Sequence, residues 1–104
     1  MNLVLAFFAG MFLTNGVPHL VSGIAGKSHM TLLAKNSSAL TNVVWAYMNF
    51  FLGIWVLNLS GGNLATLFSL DNYSLSFLVG SLFMAISNAW LFSNPNARFP
   101  WFKK

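Results

Sequence analysis

The sequence predicts an all-α integral membrane protein, a single bundle of three transmembrane helices. Of its 104 residues, 57% are hydrophobic and only 6% are charged. Soluble domains are about a quarter charged, so the surface of this chain must mostly face lipid. Three uncharged segments each approach the roughly 20 apolar residues that cross a bilayer. Runs such as Val43-Val44-Trp45-Ala46 do not alternate as barrel strands do, which leaves helices to bond the backbone internally.

The first helix is predicted at about residues 3–24, with a kink near its middle. Pro18 has no backbone N–H, so the carbonyl of Thr14 loses its helical partner. Gly16 adds flexibility two residues earlier. Kinked or broken membrane helices often build binding sites because they free backbone groups. His19 lies beside the kink and is therefore a candidate for a ligand contact, although a simple hydrogen bond to a neighbouring helix is also expected of it.

The second and third helices are predicted at about residues 39–59 and 74–92. Asn36, Ser37 and Ser38 are the candidate N-caps for the second helix, and Gly61-Gly62 suits its end because glycine readily takes the left-handed conformation found there. Asp71 precedes the third helix, where a negative charge suits the positive end of the helix dipole. The whole chain is therefore predicted to form one membrane domain.

The basic residues predict the orientation in the bilayer. Lys27 and Lys35 lie in the first connection between helices, and Arg98 lies in the C-terminal tail, residues 95–104. Cytoplasmic loops are enriched in Lys and Arg, so the C-terminus is predicted to be cytoplasmic and the N-terminus outside. Aromatic rings and lysines favour the headgroup region, so the tail is predicted to be an interfacial anchor formed by Trp101, Lys103 and Lys104.

Polar side chains in the predicted spans point to a polar interior. At helical spacing they form one stripe on each helix. The candidates are Asn15, His19, Asn42, Asn49 and Asn88. Such groups either bond neighbouring helices or bind a ligand. Small residues every four positions, in Ala6-Gly10-Thr14 and Ser81-Ala85-Ala89, are typical of helix packing.

The composition argues against enzymatic and metal chemistry. There is no cysteine, which excludes disulfides and thiolate ligands. A structural zinc site takes four protein ligands, and here only His19, His29 and Asp71 are candidates. Bis-histidine haem ligation would need His19 and His29 on facing surfaces, or His19 from two copies. We therefore expect no cofactor, no metal and no catalytic residue. The basic residues form no stripe on a water-facing helix, so no nucleic-acid partner is expected.

Two resemblances add to this reading. Asn15-Gly-Val-Pro-His19, with Gly23 and Gly26 behind it, and the stretch Ser37 to Trp45 together resemble small uncharacterised inner-membrane proteins of bacteria. The resemblance covers about the first half of the chain and implies a bacterial cytoplasmic membrane, but no activity. In size the chain is also similar to half-transporters of the SemiSWEET type, which work as dimers. Those carry Pro-Gln in the first helix, where this chain has Pro18-His19.

Two functions are favoured over a third, a membrane enzyme or haem protein that would use His19. The first is a non-enzymatic membrane protein that acts through helix packing, as a homo-oligomer or as a subunit with another membrane protein. The alternative is a small-molecule transporter or binder, working as a dimer around the polar interior near His19. The small-residue stripes favour the first, and the convergence of polar residues favours the second.

Overall fold

The computed structural model describes residues 1–102, which form three long helices. These are α1 (Leu3–Ile24), α2 (Ala39–Leu59) and α3 (Asn72–Phe92), with a short 3-10 helix at Ala65–Phe68 before α3. The residues described contain no β-strand. Each long helix has the length and apolar composition to cross a membrane. The predicted fold class is confirmed, and the chain is a small integral membrane protein.

Hydrogen-bonding side chains cap the start of each long helix. Asn2, Ser38 and Asp71 each accept a bond from the backbone N–H three residues later, at 3.0, 3.1 and 3.1 Å. The cap at Asp71 starts α3 at Asn72, two residues before the predicted start, because a capping side chain brings the residues after it into the first turn. The same bond, from the Ser74 N–H, lowers the pKa of the Asp71 carboxyl.

The central helix of the bundle is α1. It packs against α2, which runs antiparallel to it, and against α3, which runs parallel to it. Across residues 1–102, no Cα atom of α2 lies within 8 Å of one in α3, although the side chains of Leu57 and Tyr73 belong to one apolar core. The three helices therefore form a layer folded around α1, with an opening between α2 and α3.

Two glycines allow α1 and α3 to approach closely. A Cβ atom on Gly10 would collide with the carbonyl oxygen of Phe77, and one on Gly80 would collide with that of Phe7. Such backbone contact is typical of small residues in membrane helix pairs. These glycines therefore pack within one chain and do not argue for a second copy. Ala85, from the other predicted stripe, is exposed.

The interface between α1 and α2 is built in the same way. A Cβ atom on Gly16 would overlap the ring of Phe50, and one on Gly53 would overlap the side chain of Leu13. The α-helical conformation of α1 continues through Pro18, so the helix is not broken there. A bend at Pro18 stays a prediction.

The end of the bundle near the N-terminus is closed by packed side chains. The hydroxyls of Ser60 and Tyr73 are 2.6 Å apart, and the backbone N–H of Asn2 donates to the carbonyl of Ser60 at 2.8 Å. Beneath them lies the apolar core, formed by Ala6, Ala9, Leu57 and Tyr73. This packing leaves the other half of the bundle as the place where a cavity can form.

Candidate functional site

A groove of about 450 Å³ lies over α1 in the opening between α2 and α3. It extends toward the first connection (residues 25–38) and the C-terminal tail. Most of its lining is apolar and includes Met11, Phe12, Trp45, Met48, Met84 and Phe92. The polar lining includes the side chains of Asn15, His19, Asn49 and Asn88. The groove thus combines an apolar wall with a few polar groups from all three helices.

Three asparagines form a hydrogen-bonded chain across the groove. Asn15 Nδ2 donates to Asn49 Oδ1 at 3.1 Å, and Asn88 Nδ2 donates to Asn15 Oδ1 at 3.2 Å. Asn49 Nδ2 donates to the carbonyl oxygen of Trp45 at 2.9 Å. This chain joins α2 to α3 through α1, although the Cα atoms of the two outer helices stay more than 8 Å apart in the described chain. We call it the asparagine chain.

A second polar chain links His19 to Asn42. Asn42 is fully buried, and its Nδ2 lies 3.0 to 3.1 Å from three backbone carbonyl oxygens, those of His29, Ser37 and Ser38. Carbonyl oxygens only accept, so they orient the amide and direct Asn42 Oδ1 at His19. The 2.8 Å contact between Oδ1 and His19 Nδ1 therefore places a proton on Nδ1.

The neutral His19 ring consequently has an unprotonated Nε2. An imidazole with its proton on Nδ1 offers Nε2 as an acceptor only. His19 is 3% exposed and lines the groove. Its Nε2 has no hydrogen-bond partner within residues 1–102, and it is not among the fully enclosed polar atoms. The tautomer follows from the hydrogen bonds of Asn42.

His29 lies against the same site from the first connection. Its ring centroid is 5.1 Å from that of His19 and 4.1 Å from that of Phe92. His29 Nε2 is buried without a partner in the described chain. Burial lowers the pKa of His29, and the nearby His19 lowers it further. Because the two histidine rings touch directly, no space for a porphyrin exists between them.

The described residues contain no cluster of three or more side chains of the types that usually bind a metal ion. Within residues 1–102, no three side chains of His, Cys, Asp or Glu come together. Asp71, the only acidic residue of the chain, caps α3 at the end of the helix opposite Asn88. The polar side chains that line the groove are therefore amides, the hydroxyls of Thr31 and Ser87, an imidazole and the indole of Trp45.

The C-terminal tail closes the groove at one end. Lys35 Nζ donates to the carbonyl oxygens of Pro95 and Ala97, each at 2.7 Å. Trp101 Nε1 donates to the carbonyl oxygen of Leu32 at 2.9 Å, and its ring stacks on Phe99, which lines the groove. The tail is thus attached to the first connection. Of the predicted anchor, Trp101 makes these contacts and is 60% exposed, whereas Lys103 and Lys104 lie outside the described residues.

The structure brings the predicted polar residues together in the two chains described above. The apolar residues of the groove walls were not predicted from the sequence, but their spacing relative to the asparagines indicates their position. Met11, Trp45 and Met84 each lie four residues before an asparagine of the asparagine chain. Residues four apart share a helix face, so this spacing places each of them beside a polar group.

The chain matches no protein-family model, no curated protein and no solved structure in the three comparisons. The resemblance to bacterial inner-membrane proteins therefore stays a prediction.

Proposed function

We propose that this protein is a non-enzymatic membrane protein that binds a small, mainly apolar molecule in the groove. The observation that carries the proposal is the groove itself, about 450 Å³ with apolar walls and a few polar groups. Ligand sites measure about 300–1,000 Å³ and have this kind of lining. Since the Cα atoms of α2 and α3 stay more than 8 Å apart among the described residues, the groove opens between these helices and gives a ligand dissolved in the bilayer a lateral route in.

The chemistry of the lining supports binding rather than catalysis. Hydrolysis by a Ser–His pair uses an acidic group that orients the histidine. Here the neutral amide of Asn42 orients His19. Asp71 caps the N-terminal end of α3, whereas the groove is lined by the C-terminal half of that helix. Asn42 holds the imidazole in place but does not stabilise a positive charge on it as a carboxylate would. His19 is suited to accept a hydrogen bond from a ligand.

We also propose the orientation that the charges predict, in a bacterial cytoplasmic membrane with the C-terminus inside. Lys27 and Lys35 lie in the first connection, and Lys35 bonds directly to the tail that carries Arg98. These basic groups therefore meet at one end of the bundle, and Asp71 is at the other. Clustering of basic residues on one side is typical of the cytoplasmic face.

Native mass spectrometry of the protein extracted from its own membrane tests the binding proposal. We expect a small-molecule adduct on the chain. Ser87 lines the groove, so Ser87→Trp should fill it and remove the adduct. Val79→Trp adds the same side chain at an exposed position of α3 outside the groove and should retain it. An adduct that survives in both variants, or is absent from the wild type, contradicts the proposal.

A second proposal is assembly, either with another copy of the chain or with another membrane protein. Ala85 and Ala89 are exposed and one turn apart on α3, which leaves a shallow surface of the kind that packs membrane helices. A transporter built as a dimer would combine both proposals. The same native mass spectra test this second proposal. Assembly with another copy appears as a multiple of the chain mass, and assembly with another membrane protein adds the mass of that protein.

A further inference from the structure

The asparagine chain has a fixed direction. The carbonyl of Trp45 can only accept, so Asn49 must use its Nδ2 there and its Oδ1 toward Asn15. Asn15 then donates through Nδ2, and its Oδ1 accepts from Asn88 Nδ2. At the end of the chain, Asn88 Nδ2 keeps its second N–H, and Asn88 Oδ1 is left over. This atom is an acceptor, and it has no hydrogen-bond partner within residues 1–102.

The second polar chain ends in the same way. Backbone carbonyls orient Asn42, Asn42 holds the proton of His19 on Nδ1, and His19 Nε2 is left as an acceptor. His19 and Asn88 both line the groove. Two separate chains, each anchored on backbone carbonyls, therefore present an acceptor to one apolar cavity.

We propose that the ligand is a lipophilic molecule carrying an O–H or N–H donor, such as an alcohol or a phenol. This inference rests on the proposed function and adds the chemical class. A buried acceptor that loses water needs a donor from the ligand, since otherwise its hydrogen bond is simply lost. The methionine and aromatic walls suit an apolar body, because they offer adaptable contacts.

The lining also disfavours anionic ligands. No Lys or Arg is among the residues lining the groove. A carboxylate or phosphate would meet the acceptors His19 Nε2 and Asn88 Oδ1 and only neutral donors, such as the Ser87 hydroxyl and the Trp45 indole N–H, with no cation to compensate its charge. Such repulsion against the wrong partner contributes to specificity as much as attraction does. A fatty acid in its ionised form is therefore a poor ligand for this groove.

A matched pair of probes tests the inference. 4-tert-butylphenol carries a donor, whereas 4-tert-butylanisole has nearly the same shape and can only accept. Equilibrium binding of each is measured on the full chain in lipid nanodiscs, with empty nanodiscs as the background. We expect the phenol to bind about tenfold more tightly, the effect of one net hydrogen bond. His19→Phe and Asn88→Leu should each bring that ratio toward one, and Asn58→Leu, at an exposed position of α2, should leave it unchanged.

The outcomes separate the inference from the proposed function. Equal binding of both probes to the wild type overturns the donor requirement and leaves a general apolar binder. Tighter binding of the anisole also overturns it. If neither probe binds above empty nanodiscs, the proposed function fails together with the inference. If His19→Phe does not fold, Asn88→Leu decides alone, because Asn88 is only half-buried and lies at the end of the asparagine chain. An unchanged ratio of phenol to anisole binding in Asn88→Leu contradicts the role of Asn88 as the acceptor.

Discussion

Replacing Asn42 with Ala should destabilise the protein by about 2–3 kcal/mol. Asn42 is fully buried, and its amide bonds His19 on one side and three backbone carbonyls on the other. Three protons take part: two from Asn42 Nδ2 and one from His19 Nδ1. A hydrogen bond contributes about 1 kcal/mol net in proteins and about 0.6 kcal/mol on average between membrane helices, which gives the stated range.

The assay is equilibrium unfolding in mixtures of a mild detergent and sodium dodecyl sulfate, followed by circular dichroism. The matched control is Asn58→Ala, which makes the same replacement on the same helix at an exposed position. We expect the control to change stability by less than about 0.5 kcal/mol. The reasoning is refuted if Asn42→Ala costs no more than Asn58→Ala, because the buried amide would then not organise the site.

Two further predictions concern packing and pH. Gly10→Leu should cost more than about 3 kcal/mol, since the added side chain meets the backbone of α3, whereas Ala85→Leu should stay within about 0.5 kcal/mol in the same titration. If Gly10→Leu stays folded and loses only an oligomer, these glycines serve assembly. The midpoint of thermal unfolding should fall below about pH 6.5, because the pKa of His29 is lowered in the folded protein and the unfolded chain therefore binds the proton more readily. Above that pH, His29 is neutral in both states and this loss of stability is absent. His29→Gln should reduce this fall, and an equal fall in both proteins contradicts the role of His29.

The packing of α1 explains why small-residue stripes were ambiguous in the sequence. Gly10 lies in the stripe Ala6-Gly10-Thr14, whose spacing is expected for contacts between copies as much as for contacts within one chain. Gly80 lies outside the predicted stripes but packs in the same way as Gly10. In the structure each faces the backbone of the partner helix in the same molecule. A repeat of small residues shows that some helix approaches closely, but it does not say which one.

The sequence by itself determined the three helices, the caps of the second and third, and the polar stripes. Length, apolar composition and capping residues act locally, so they can be read along the chain. Helical spacing likewise placed Asn15 and His19 on one face of α1. Each of these properties depends on residues within about one turn of each other.

Only the tertiary structure decided how the stripes meet. The position of α1 between two helices whose backbones stay apart creates the groove, and nothing local to any helix specifies it. The direction of the asparagine chain depends on the carbonyl of Trp45, and the tautomer of His19 depends on carbonyls of the first connection. A hydrogen bond needs both partners in place, so which atom of a polar side chain stays free is a property of the assembled fold.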